Sequence, residues 1–183
     1  KYFSSYSKQW VNHLKKLVNK IIKKFKLNQK NSLVTELASN DGYLLENFVK
    51  KKIKCFGVEP SLSVAKISKE KRIQTFIKFF NEQTAKFLVK KKLSADVVIA
   101  LNVVGHVPDL LSFIKGVKIL LKKNGVFILE IPYFINLIKN KQFDTIYHEH
   151  YSYFSIISMN YVLNKYQLYL NEIELLETHG GSL

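Results

Sequence analysis

Ser32-Leu-Val-Thr-Glu-Leu37, followed at once by Ala38-Ser-Asn-Asp-Gly42 and then Tyr43-Leu-Leu-Glu-Asn-Phe48, decides the fold class. A short apolar run ends in small, turn-forming residues and gives way to helical spacing, which reads as strand, turn, helix. The same succession recurs downstream. Residues 54–58, 73–76, 95–101 and 125–131 read as strands, and 42–51, 61–71, 82–91 and 109–122 as the helices between them. A further helix is expected at 155–164 and a sixth strand at 166–176. Strands alternating with helices imply a mostly parallel sheet with helices on both faces. Ahead of it, residues 8–26 form an amphipathic helix. Trp10, Val11, Leu14, Leu17, Val18, Ile21, Ile22 and Phe25 share one face and lysines the other, as expected for a helix laid on a sheet. Residues 132–154 interrupt the pattern with a loop-rich insert dense in aromatics and histidines.

The chain's 183 residues and 21.3 kDa suit one domain, which at this size hides roughly 70% of its unfolded surface. One cysteine, Cys55, excludes an intramolecular disulfide or an all-cysteine metal site and fits a reducing cytoplasm. The most apolar stretches, 95–107 and 125–138, are broken by Asp96, Asn102, Glu130 and Pro132, so no membrane span is expected. A start without methionine or signal peptide and an end in Gly-Gly-Ser-Leu suggest a piece of a longer protein. The net charge of +15 invites a nucleic-acid reading, but Arg72 is the only arginine among 29 basic residues. Lysines scattered over outer helix faces read as a solvated coat, and no nucleic-acid partner is expected.

In such sheets ligands sit beyond the carboxyl ends of the strands. After the first strand, Glu36 is a carboxylate at the end of a buried run and needs a partner; a cationic amino group would serve. Ala38, Ser39, Asn40 and Gly42 make a tight turn that lets a ligand approach the backbone. The alternative is a capped helix start. After the second strand, Glu59-Pro60-Ser61 places a carboxylate where it can accept both hydroxyls of a ribose. Together these features indicate a nucleoside with a positively charged tail, a description that S-adenosylmethionine fits.

Three blocks carry a family resemblance. Glu36-Leu-Ala-Ser-Asn-Asp-Gly42, Gly57-Val-Glu-Pro-Ser61 and Asn102-Val-Val-Gly-His-Val-Pro-Asp109 resemble class I S-adenosylmethionine-dependent methyltransferases. Phe143-Asp-Thr-Ile-Tyr147-His148-Glu149-His150-Tyr-Ser-Tyr-Phe-Ser155 resembles the signature of one subgroup, the nucleotide-sugar C-methyltransferases, as do Tyr2-Phe-Ser-Ser5-Tyr-Ser7 and Thr178-His-Gly-Gly-Ser-Leu183. The resemblance covers essentially the whole chain. It implies a three-layer α/β/α Rossmann-like fold with strand order 3-2-1-4-5, lacking a complete last strand. It also implies one catalytic domain over 1–183, with an N-terminal segment and helix at 1–30, a core at 31–183 and an active-site insert at 132–154. The family's zinc-binding N-terminal module and C-terminal domain have no counterpart here.

Carbon is a weak nucleophile until a proton beside a carbonyl is removed, which needs a general base and a donor to the enolate oxygen. The resemblance implies His150 as that base, Tyr147 and Glu149 orienting it or touching the sugar, and His106 beside the methyl-transfer path. The cofactor would be S-adenosylmethionine, released as S-adenosylhomocysteine, and the substrate a small molecule, a nucleotide-diphosphate keto-sugar. Asn102 and Val103 would join the cofactor site, Phe80 and Asn81 would neighbour the adenine, and Tyr2 and Ser5 would fold back over it. No metal is expected, since adjacent residues of the His148-Glu149-His150 run point apart. Rival readings are an O- or N-methyltransferase, which would not need the histidine-rich insert, and a non-catalytic cofactor-binding module.

Overall fold

The computed structural model describes residues 8–183. Its centre is a five-stranded sheet in the order β3-β2-β1-β4-β5, every neighbouring pair parallel. The strands are β1 (Leu33–Leu37), β2 (Lys54–Val58), β3 (Gln74–Phe76), β4 (Ala95–Leu101) and β5 (Leu121–Glu130). The helices are α1 (Lys8–Lys24), α2 (Leu45–Lys50), α3 (Leu62–Glu70), α4 (Glu82–Lys90), α5 (Leu110–Leu120), α6 (Phe134–Lys139) and α7 (Ile156–Asn164). Parallel strands buried on both faces need apolar residues of both parities, and β4 has them. Val97 and Ile99 pack with α1 and α2, while Val98 and Ala100 pack with α5 and α7. The i, i+4, i+7 stripe of Leu14, Val18 and Ile21 is buried, so α1 lies on the sheet as its periodicity demands.

Helix starts follow local chemistry. Asn81 caps α4 by accepting from Thr84 N–H at 2.9 Å, Asp109 caps α5 through Ser112 N–H at 3.0 Å, and Ser155 opens α7 with a reciprocal bond to Ser158.

The sixth strand expected at 166–176 is not formed. Tyr166 and Gln167 finish the turn after α7, and the extended residues beyond make no ladder, only an isolated antiparallel bridge between Leu176 and Ser182. Strand-like sequence becomes strand only beside a partner. Here a cleft of about 700 Å³ separates this segment from β5. Leu17 and Ile21 of α1, Phe25 just beyond it, Phe127 and Leu129 of β5, and Leu168 line it, and Lys20–Glu174 and Lys24–Glu172 ion pairs tie the segment to α1. At its mouth Ser182 bridges both Pro132 and Leu176, and Leu183 exchanges two backbone bonds with Ile131 at 2.9 and 3.0 Å. The 132–154 insert also holds more structure than a loop, since α6 and a 3₁₀ turn at Phe143–Thr145 lie within it.

Candidate active site

The parallel register brings the ends of β1, β2 and β4 side by side. Leu37 pairs with Val58 on one side and with Ala100 on the other. Beyond Leu37 the chain turns through Ala38 (φ 55°), Asn40 (φ 49°) and Gly42 (φ 76°). A Cβ at Gly42 would stand 2.6 Å from Ile73 Cδ1, so this position excludes a side chain on space as well as on backbone angle. Glu59 holds the turn. One carboxylate oxygen accepts from Asn40 N–H at 3.0 Å and the other from Ser61 N–H at 2.8 Å. Each oxygen keeps a second lone pair for a further donor.

Glu36 lies at the floor of this arrangement, 1% exposed. Burial, and then the negative charges of Asp41 and Glu59, push its pKa well above the usual carboxylate range. Its Oε2 and the neighbouring Ser39 Oγ are buried with no hydrogen-bond partner among the described residues. Unsatisfied acceptors beside concentrated negative charge suit a ligand carrying a cation and donors. Asp41 has its own cation, Lys71 Nζ at 3.1 Å. Pro60 is half-buried and Ser61 exposed at the rim.

Other expected cofactor neighbours have structural partners as well. The Phe80 ring packs edge-on against Phe113 of α5 at 5.3 Å, and Asn81 spends its side-chain oxygen on the α4 cap. Asn102 (φ 52°) leads the chain off β4, and Val103 packs against the core. Tyr2 and Ser5 lie outside the described residues.

Above the β4 tip the insert brings His150 against His106. The rings of His106 and His150 are 4.6 Å apart, and Tyr147 lies 4.3 Å from His150 and 6.5 Å from His106. The loops are joined by Tyr151 and Ser152 N–H groups, which both donate to Gly105 O, at 2.8 and 3.2 Å. His150 Nδ1 sits 2.7 Å from Thr145 O, and His106 Nδ1 sits 2.9 Å from Glu149 O. A carbonyl only accepts, so each Nδ1 carries the proton and each neutral ring keeps its Nε2 lone pair. Burial first, and then the charge of a protonated His150, push the pKa of His106 down. Glu149 contributes a backbone carbonyl to this site, and its side chain is exposed, as is that of His148.

One polar centre at the strand tips went unrecognised in the sequence. Glu130, the last residue of β5, is 3% exposed and collects side chains from three parts of the chain, His13, Asn102 and Thr178. The argument that singled out Glu36, a carboxylate closing a buried strand, applies to it equally.

Comparison with known proteins agrees with this fold. Residues 9–173 match the methyltransferase domain family. The C-methyltransferase NovU of Streptomyces niveus is 31% identical over all 183 residues. The chain spans 43% of that relative's length. Among solved structures, the fold is similar to magnesium protoporphyrin IX methyltransferase from Synechocystis, with bound S-adenosylhomocysteine (TM-score 0.70, 14% identity, 94% of this chain and 80% of that one). It is also similar to a SAM-dependent methyltransferase from Archaeoglobus fulgidus (TM-score 0.63, 16% identity, 84% and 68%). The chain belongs to the methyltransferase domain family, in the class that uses S-adenosylmethionine. The partner-free Glu36 Oε2 and Ser39 Oγ, set among the carboxylates of this turn, suit a cofactor that carries a cation and hydrogen-bond donors. Among the described residues no helix is long and apolar enough to cross a membrane.

Proposed function

We propose that this domain methylates a carbon atom of a nucleotide-linked keto-sugar, with His150 as the general base. The observation that carries the reading is the bond from His150 Nδ1 to Thr145 O at 2.7 Å. It leaves Nε2 as the basic atom, in a ring flanked by Tyr147 and His106. In this reading Nε2 takes the proton from the carbon beside the keto group, and the C–H electron pair moves into the enolate. In the same reading the Tyr147 hydroxyl donates to the developing oxyanion, and a neutral His106 beside the ring does not repel a protonated His150. When bound, S-adenosylmethionine supplies the electrophilic methyl group. Glu36 takes its ammonium, Glu59 the ribose hydroxyls, the 38–42 turn with Asn102 and Val103 surrounds the methionine part, and Phe80 and Asn81 edge the adenine side. C-methylation draws support from NovU, a C-methyltransferase by name. The keto-sugar draws support from the Tyr147-His-Glu-His150 block and the need of carbon for an acidifying carbonyl. We further propose that 1–183 act as one methyltransferase domain within a longer enzyme, with other segments helping to bind the sugar nucleotide.

The test is solvent-deuterium exchange at the sugar carbon, run with S-adenosylhomocysteine so that no methyl transfer can follow. Removing a general base costs typically 10²–10⁴-fold, so His150→Asn should bind the cofactor product normally and exchange more slowly by about that factor. Exchange at the wild-type rate would assign the base elsewhere.

A further inference from the structure

Glu130 is the point at which α1, the tip of β4 and the 3₁₀ turn at Thr178–Gly180 are joined. Its Oε2 accepts from His13 Nε2 of α1 at 3.2 Å. Its Oε1 accepts from Asn102 Nδ2 at 3.3 Å and from Thr178 Oγ1 at 3.0 Å. Its backbone carbonyl accepts from Asn102 N–H at 2.8 Å. His13 is stacked on Trp10 with ring centroids 5.2 Å apart and planes 22° apart, which restrains the imidazole that meets the carboxylate through Nε2.

A hydrophobic residue could close the end of β5 without the cost of burying a charge. What the carboxylate adds is orientation. Asn102 stands in the left-handed region and turns the chain from β4 into the Val104–His106 3₁₀ turn, which carries His106. Because Nδ2 is bound to Glu130, the amide cannot flip, and its oxygen is presented on the opposite side. Leu37 and Ala100 are paired, so the chain leaves β4 through Asn102 next to the turn that begins at Ala38.

We propose that Glu130 is a positioning residue, which clasps α1 to the tip of β4 and holds Asn102 and the His106 turn in the geometry cofactor binding requires. The inference rests on the cofactor site described above. It depends on hydrogen-bond acceptors in fixed places rather than on negative charge. Glu130→Gln keeps an oxygen for Asn102 and Thr178, and His13 in its other tautomer accepts from the new amide. Glu130→Ala keeps none of the side-chain contacts, only the backbone bond from Asn102 N–H.

Calorimetric titration with S-adenosylhomocysteine, well below each variant's melting temperature, distinguishes placement from stability. Glu130→Ala should bind roughly tenfold more weakly or worse, and Glu130→Gln within about threefold of the unsubstituted chain. Leu163→Ala, a cavity variant on α7, should melt earlier yet bind normally. If Glu130→Ala fails to fold, His13→Phe keeps the stack on Trp10, removes one donor, and should weaken binding measurably. Unchanged affinity in Glu130→Ala or in a substituting His13→Phe overturns the proposal. So does a Glu130→Gln variant as weak as Glu130→Ala, which would make charge the active quantity. An unsubstituted chain that does not bind the probe overturns the cofactor reading itself, a different result from intact binding indifferent to Glu130.

Discussion

Glu36 carries a pH signature that its burial dictates. With its folded-state pKa raised above the unfolded value, the native state holds the proton more tightly than the unfolded chain does. That contribution to stability is fully present below the ordinary carboxylate pKa of about 4.3 and is lost as pH rises through the folded value. Glu36→Gln, which never ionises, should therefore melt like the parent at low pH and at a higher temperature in mildly alkaline buffer. Thermal scans across pH decide this; a constant difference between the two proteins would assign the effect to packing. Cys55, whose thiol burial and Glu36 together push up to about 12, adds no reactive group nearby. Legibility at this scale was uneven. Glu36 and Glu59 were recognisable because each follows an apolar strand and precedes turn residues. Glu130 shares that pattern but reads as an interruption of an apolar run, since His13 lies 117 positions away and nothing local announces it.

At the level of elements, the turn after β1 depends on the glycine in β2 beneath it. A Cβ on Gly57 would lie 2.2 Å from Ser39 Oγ and 2.8 Å from Ser39 Cβ, next to Leu45 at the start of α2. Overpacking of this kind costs about 1–3 kcal/mol. Gly57→Ala should lose about that much stability in urea and should weaken S-adenosylhomocysteine binding, because Ser39 must move. Stability lost with full affinity would show that the turn yields without disturbing the pocket. Six of the seven helices and the five strands were readable from periodicity to within a few residues, apart from the start of β5, which directly follows α5; α6 lies hidden in the insert. The strand expected at 166–176 was not, because alternating side chains describe a surface and say nothing of a neighbour with free N–H and C=O groups.

For the whole molecule, the cleft between α1, β5 and residues 168–176 leaves apolar side chains and the outer edge of β5 accessible. Open edges beside apolar surface attract other chains and hydrophobic probes. The native 183-residue chain should bind anilinonaphthalene sulfonate with enhanced fluorescence under conditions where its near-ultraviolet dichroism is intact. No enhancement would mean the cleft is closed in solution. The high positive charge opposes self-association at low salt, so light scattering by the same chain should rise as salt screens it.

The sequence by itself determined the parallel α/β sheet, its strand order through the resemblance of its motifs, and the acidic residues gathered at the turns beyond the strand ends. These follow from period, turn chemistry and residues within a few positions of one another, which local physics reports directly. Only the tertiary structure decided the facing of His106 and His150, the protonated nitrogen of each, the clasp at Glu130 and the unpaired segment beyond α7. Each of these depends on groups far apart in the chain, and their distances and hydrogen-bond directions exist only once the core has packed.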